Sequence, residues 1–525
     1  MFTDDSKIHQ VRLRHYAVAI ALSLLTAILV VAAQTPFGVA TTPDSLSYLD
    51  IATNMAEGLG PQASDFSLTT PGARGVVDQR SWPPMYSFLL SRVIRHASDT
   101  RAVAWLSMLM LSGGIFLVFL LLSSAMPWWL ALFSAMAFSM TLPVLTVYTY
   151  GWSETLFLPL LLMVMWIGSR YMSAPSSAPG FRLLLLALFT ITLVMLAYTR
   201  YIGIVLALLL PLVLLFNRRS RFDLLGWVGL SLGYVIAVGS LLLTNHDRTG
   251  HLSGNPRSPS TDSLQDILQR IHEASAVLFP NSLSALSIAT LVAVILAWFR
   301  WRYPTPSTEI RNIRMKLLLA ATVAISLLAT LVILRVRVKF DDLDVRLLSP
   351  VFVAVFCLFA LVPWAVRHRG SAVVVQFIAG FAIAAAAVHG YQHLLTVPDS
   401  WSQKQAPQHR SSTQGMYNNF TLGDDPARAY LSELMRPGGI LVIDQPLVWE
   451  FRSGFRSMQK PDSYDVETLE ILNALPAGSL LVAERRDVDQ LRRVSGIDLG
   501  VVVDLGKAVA IPLPLGSRLP VRNRD

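Results

Sequence analysis

Four ionisable residues stand at the ends of long apolar segments: Asp44, Glu154, Arg200 and Arg346. Two carboxylates and two guanidiniums suit the transfer of a group whose partner leaves as an anion. A carboxylate acts as general base on an attacking hydroxyl. Arginine grips a phosphate through a planar fork of donors and stabilises charge as it develops. Ionisable groups at membrane depth are costly and tend to mark functional sites. Each residue also has a structural alternative. Asp44 follows Pro43 at the start of a helical run and suits an N-cap. Glu154 suits a helix start or an ion pair with an arginine. Arg200 suits a snorkelling anchor at the membrane interface. Arg346 has Asp341, Asp342 and Asp344 close by as partners.

The elements that must position these residues are membrane spans. The chain of 525 residues is 53% hydrophobic and 15% charged, with a mean hydropathy of +0.51. A soluble domain is roughly a quarter charged. Apolar blocks of about 20 residues match the thickness of bilayer hydrocarbon. They predict about eleven spans, near 16–35, 102–123, 128–147, 154–172, 183–199, 201–216, 224–244, 283–299, 317–334, 347–366 and 371–392. Lys7, Arg12, Arg14, Arg170, Arg182, Arg218, Arg219, Arg221, Arg300, Arg302, Arg311, Arg314, Lys316, Arg367 and Arg369 fall in short, nearly acid-free connections. Those connections read as cytoplasmic. The N-terminus is then cytoplasmic, and the four ionisable residues share the outer face. Basic residues before an apolar run ending Val31-Ala32-Ala33 resemble a signal peptide. The spans that follow favour an uncleaved first span. The net charge of +9 sits beside spans, where it meets anionic lipid and does not point to nucleic acid. Cys357 is the single cysteine, inside an apolar block, so disulfides play no part.

The first outer loop, 36–101, carries two expected interfacial helices, Asp44–Gly58 and Met85–His96. Between them lies Gln79-Arg80-Ser81-Trp82-Pro83-Pro84-Met85-Tyr86. Tyr48 and Trp82 are interfacial anchors or sugar-stacking surfaces, and Arg80 and Tyr201 join them as candidate substrate contacts. Residues 1–395 form the membrane domain. A polar linker, 396–423, leads to a small extracytoplasmic α/β domain, 424–525, with strand-like runs at Ile440–Asp444, Ser479–Glu484, Gly500–Asp504 and Ala508–Leu513. His246, His251 and His272 lack metal-ligand spacing. Asp341, Asp342 and Asp344 offer oxygen ligands for a divalent cation, with a solvated acidic turn as the alternative. No metal site is assigned.

These motifs, in this order, resemble the GT-C superfamily of integral membrane glycosyltransferases, of the dolichyl-phosphate-mannose protein mannosyltransferase and aminoarabinose transferase type. The resemblance rests on Pro43-Asp44-Ser45-Leu46-Ser47-Tyr48 followed by Ala56-Glu57-Gly58, and on Trp82-Pro83-Pro84-Met85-Tyr86. Trp152-Ser153-Glu154-Thr155, Tyr198-Thr199-Arg200-Tyr201-Ile202-Gly203 and Asp344-Val345-Arg346-Leu347-Leu348-Ser349-Pro350 complete it. It covers about residues 15–395. It implies a polyprenyl-phosphate-linked sugar donor used at the outer face of a prokaryotic inner membrane. Asp44 matches the family's first-loop catalytic acid, and Glu154 an acidic position at the start of the fourth span. Many members carry a second acid directly after the first; this chain has Ser45 there, so Asp44 is expected to act as a lone base. The expected activity is hexosyl or pentosyl transfer with inversion, to a glycan, lipid or protein acceptor. A transporter or lipid flippase is the alternative. It predicts charged residues inside spans and internal repeats, and neither is visible here. A scaffold whose outer domain binds a partner is a third reading.

Overall fold

The computed structural model describes residues 5–35, 39–40, 42–64, 76–78, 82–94, 100–175, 177–215, 221–254, 259–278, 308–338 and 345–365. It also describes short segments between 383 and 515, chiefly 438–443, 456–460, 466–495 and 508–513. The expected span at 283–299, most of that at 371–392, the linker, Arg80 and Asp341, Asp342 and Asp344 lie outside the described residues. The chain divides into two compact units. The first comprises 1–40, 80–86 and 100–403; the second comprises 41–79, 87–99 and 404–525.

The described part of the first unit is helical. In chain order it holds α1 (Asp5–Gln34), the first residues of α3 (Met85–Leu90), α4 (Thr100–Leu122), α5 (Trp128–Ser139), α6 (Leu142–Thr149), α7 (Glu154–Ser173) and α8 (Pro179–Thr199). A 3₁₀ helix, Tyr201–Leu208, leads into α9 (Leu209–Leu215). Then follow α10 (Arg221–Thr249), α11 (Leu264–Leu278), α12 (Thr308–Arg337) and α13 (Val345–Ala365). Among the described residues, seven of these helices are long and apolar enough to cross a membrane. Trp105, Leu183, Ile191 and Ile236 point outward from them, as do Trp129 and Phe133 from α5, which fits lipid as the surroundings. Phe119, Phe138, Phe157 and Phe189 fill the space between the helices. The chain is an integral membrane protein.

Two expected spans depart from simple rods. The block at 128–147 is a pair, α5 and α6, bent by 55°. Thr141 is extended at the break and Pro143 opens α6. Proline is favoured in a first helical turn and cannot continue the helix before it. The block at 201–216 is a shorter apolar helix, Tyr201–Leu215, whose first eight residues are 3₁₀. A third irregularity is repaired from outside. Pro159 lies within α7 and cannot donate to the carbonyl of Thr155, four residues back. The Tyr148 hydroxyl, buried on α6, donates to that carbonyl at 3.2 Å.

The second unit contains α2 (Pro43–Ala56) and an antiparallel ribbon of β1 (Gln62–Ser64) and β2 (Val76–Asp78). Asp50 ties the ribbon to the helix, accepting Ser64 N–H at 2.7 Å and Ser64 Oγ–H at 2.6 Å. Asn54 adds a bond to the Gln62 carbonyl. The carboxyl-terminal part of this unit is a mixed sheet of β3 (Leu441–Ile443), β4 (Ser457–Gln459), β5 (Ser479–Glu484), β6 (Val503–Asp504) and β7 (Ala508–Leu513). The strand order is β4-β3-β5-β7-β6. The β3 pairings are parallel and the β7 pairings antiparallel. Helices α14 (Val466–Asn473) and α15 (Arg485–Ser495) contribute Leu469, Leu472, Val488 and Leu491 to its core.

Candidate functional site

Glu154, Arg200 and Arg346 meet in the first unit although they are far apart in sequence. Glu154 is the first residue of α7 and is fully buried. A carboxylate is favoured at a helix N-terminus. Its Oε1 accepts Arg346 Nε–H at 2.8 Å and also forms an ion pair with the Arg200 guanidinium. Its Oε2 accepts the Ser153 hydroxyl at 3.3 Å. Two guanidiniums on one carboxylate leave the cluster with one formal positive charge. Arg346 opens α13, where the helix dipole disfavours a cation; Glu154 offsets that. The Arg346 guanidinium also lies 4.5 Å from the centre of the Trp152 ring. Trp152 in turn stacks on Tyr150 at 4.3 Å. Arg346 is thus held in its plane by a carboxylate at its edge and an indole on its face. Among the described residues its partner is Glu154; the neighbouring aspartates lie outside the described residues. The Arg200 side chain is 17% exposed against 9% for Arg346, so it is the more accessible cation.

A backbone break places Arg200. It separates α8 from the 3₁₀ helix and is itself extended, with φ −151° and ψ 135°. Its N–H donates to Leu196 O at 2.9 Å, and its carbonyl accepts Gly203 N–H at 2.8 Å. A Cβ on Gly203 would sit 2.6 Å from both the carbonyl carbon and oxygen of Leu196. Only glycine permits this close passage. The 3₁₀ helix is held from α10: Tyr234 OH donates to Ile204 O at 3.3 Å, and Asn245 Nδ2 donates to Tyr201 OH at 2.8 Å. Tyr201 therefore supports the Arg200 turn.

Tyr86, almost fully buried, reaches the same helix start, beside Thr155 and Glu154. Burial pushes its phenol up, the nearby Thr155 hydroxyl opposes this, and the Glu154 charge reinforces it. Tyr86 stays protonated across any physiological pH. Trp82 lies half-buried in this unit.

Asp44 and Tyr48 belong to the second unit. Asp44 is in the first turn of α2, half-buried. The expected N-cap role falls instead to Thr42, whose Oγ1 accepts Ser45 N–H at 3.2 Å. The Ser45 hydroxyl lies 3.0 Å from Thr42 Oγ1, so the residue after Asp44 is a buried serine held against the helix cap. Tyr48 is 1% exposed, and its carbonyl accepts Ser87 Oγ–H, which puts it in the unit's core. Arg335, in the last turn of α12, is engaged by Asp262 at 2.6 Å. Among the described residues, no three of His, Cys, Asp or Glu are grouped to hold a metal ion.

No family model matches the sequence, and no curated protein matches it. The fold is similar to that of ArnT from Cupriavidus metallidurans bound to undecaprenyl phosphate, with a TM-score of 0.50 and 10% identity over 96% of this chain and 99% of that one. The chain has a GT-C fold. The same ArnT in the apo state gives a TM-score of 0.48 at 15% identity, covering 94% of this chain and 97% of that one. The Archaeoglobus fulgidus oligosaccharyltransferase in complex with zinc and sulfate gives 0.47 at 11% identity, covering 91% and 70%. Within this GT-C fold, the sequence picked out Glu154, Arg200 and Arg346 and offered Glu154 an arginine partner, but did not say which; the structure gives it both. Trp152, Asn245 and Gly203 were missed as supports. Their signal was adjacency: Trp152 two residues before Glu154, and Gly203 three after Arg200.

Proposed function

We propose that this chain is a membrane glycosyltransferase that moves a sugar from a polyprenyl-phosphate carrier to an acceptor hydroxyl at the outer face of a prokaryotic inner membrane. The observation that carries the reading is the cluster of Arg200 and Arg346 on buried Glu154 at one end of the spans, in a chain with a GT-C fold. A net-positive pair of guanidiniums suits the phosphate of a departing lipid carrier. Fold likeness to ArnT, whose structure holds undecaprenyl phosphate, supports that choice of anion.

In this reading Asp44 accepts the acceptor's proton as its oxygen attacks the anomeric carbon. The bond from that carbon to the phosphate oxygen breaks, and polyprenyl phosphate leaves. A one-step displacement inverts the anomeric centre. The role of Asp44 rests on the sequence resemblance. Arg200 and Arg346 hold the phosphate, with Arg200 the more accessible of the two. Glu154, saturated by two guanidiniums and Ser153, is a positioning residue that fixes the arginines. The acceptor is a glycan, a lipid or a protein.

The test is sugar transfer by purified protein from radiolabelled polyprenyl-phosphate sugars to membrane-extract acceptors. Wild-type protein should form a new glycosidic bond, and Asp44→Asn should abolish it. Movement of the label across a bilayer with no new bond would establish a flippase instead. Full turnover by Asp44→Asn would remove the base.

A further inference from the structure

The opposite end of the spans in the first unit carries a cavity of about 700 Å³. It lies at the far end of α7, whose Glu154 and Arg170 are about 24 Å apart along the helix axis at a rise of ~1.5 Å per residue. Its walls include His15 of α1, Ser123 and Ser124 after α4, Trp128 of α5, and Trp166 and Arg170 of α7. Its volume falls in the range of small-molecule sites.

The chemistry of the walls is consistent. His15 stacks on Trp128 at 4.4 Å, and Arg170 lies over Trp166 at 6.0 Å. These pairs join a flat apolar surface to a polar tip, the combination favoured where hydrocarbon meets water. Arg170 is exposed. The buried Lys316 ammonium donates to the Leu121 carbonyl at 2.6 Å and to Ser124 Oγ, so a second fixed cation stands behind the wall. None of the described lining residues is acidic. Two cations with no carboxylate among the described lining residues favour an anion. Aromatic walls at a membrane face favour one attached to a lipid. The basic residues of the sequence assign this end to the cytoplasm, the leaflet in which anionic lipids gather.

We propose that this cavity is a binding site for the phosphodiester headgroup of an anionic phospholipid, separate from the Glu154 cluster. Arg170 is the principal contact, and Trp128 and Trp166 flank the glycerol region. This inference does not depend on the glycosyltransferase reading.

The test is native mass spectrometry of the full-length protein in a non-ionic detergent, titrated separately with phosphatidylglycerol, phosphatidylcholine and polyprenyl phosphate. Wild-type protein should retain one phosphatidylglycerol in preference to phosphatidylcholine. Arg170→Gln should weaken that binding about tenfold, the worth of one charge-assisted contact. Arg170→Lys, which keeps the charge, should recover most of it. Because Arg170 is exposed, both variants should unfold at the wild-type temperature. Equal retention of the two phospholipids would overturn the proposal, as would wild-type retention by Arg170→Gln. Displacement of phosphatidylglycerol by polyprenyl phosphate would assign the cavity to the carrier lipid and overturn it too.

Discussion

Replacing Gly203 by alanine gives a direct test of how Arg200 is placed. The added methyl would lie 2.6 Å from two backbone atoms of Leu196, and ordinary contact begins at 3.4 Å. The turn must therefore open by about 0.8 Å, and backbone in α8 yields less readily than a side-chain tip. The Arg200 carbonyl is bonded to Gly203 N–H, so the displacement reaches Arg200 directly. Overpacking of this kind costs about 1–3 kcal/mol of stability. A shift near 1 Å in a positioning group costs ~10²-fold in turnover. The assay is sugar transfer from a polyprenyl-phosphate donor, alongside thermal unfolding in detergent. Gly113→Ala is the control, because a methyl there meets nothing within 4 Å; it should keep full turnover. In an Arg200→Gln background, Gly203→Ala should cost little further turnover, since the residue it displaces is already disabled. Turnover of Gly203→Ala within twofold of wild type would refute the reasoning.

Other elements give separate predictions. Tyr148→Phe leaves the Thr155 carbonyl, already abandoned by Pro159, without its buried donor; unfolding in detergent should show a loss of about 1–3 kcal/mol, and an unchanged unfolding temperature would contradict the account. Glu154→Gln leaves two guanidiniums without their carboxylate, with an expected loss of about 3–5 kcal/mol in the same measurement. The exposed Asp266 accepts both the Ser263 hydroxyl and N–H at the start of α11, and these bonds hold its carboxyl below the usual 3.8. A depressed folded value stabilises above the unfolded one and is lost as pH falls through the folded value. Amide exchange in the first turn of α11, corrected for intrinsic rates, should therefore accelerate in acid below pH 3.8; Asp266→Asn should remove that dependence.

The sequence made the spans legible because their signal is composition over about 20 residues. The ends of α4, α7 and α8 fall within a few residues of expectation for that reason. The kink at Pro143 has a local cause in a proline that opens a new helix, whereas the 3₁₀ stretch after Arg200 is held by Tyr234 and Asn245 of α10, contacts with no local signal. The pairing of Glu154 with Arg346 spans 192 positions and has no local signal; nearby aspartates offered a closer partner in sequence. Asp44 looked like a cap because Pro43 precedes it, but Thr42 has the side-chain geometry and proline suits the first turn. Tyr48 looked interfacial by type, while the periodicity of α2 carries it into a packed core.

The central claim is that Arg200 and Arg346 bind the phosphate of a lipid carrier. Its most direct measurement is the affinity of purified protein for polyprenyl phosphate in detergent, comparing wild type with Arg200→Gln. Arg200 is the variant of choice because Arg346 is more deeply committed to Glu154 and Trp152. The account predicts saturable binding that Arg200→Gln weakens about tenfold or more, with the unfolding temperature of the unliganded protein changed by only a few degrees. Equal affinity of the two proteins for polyprenyl phosphate would contradict it.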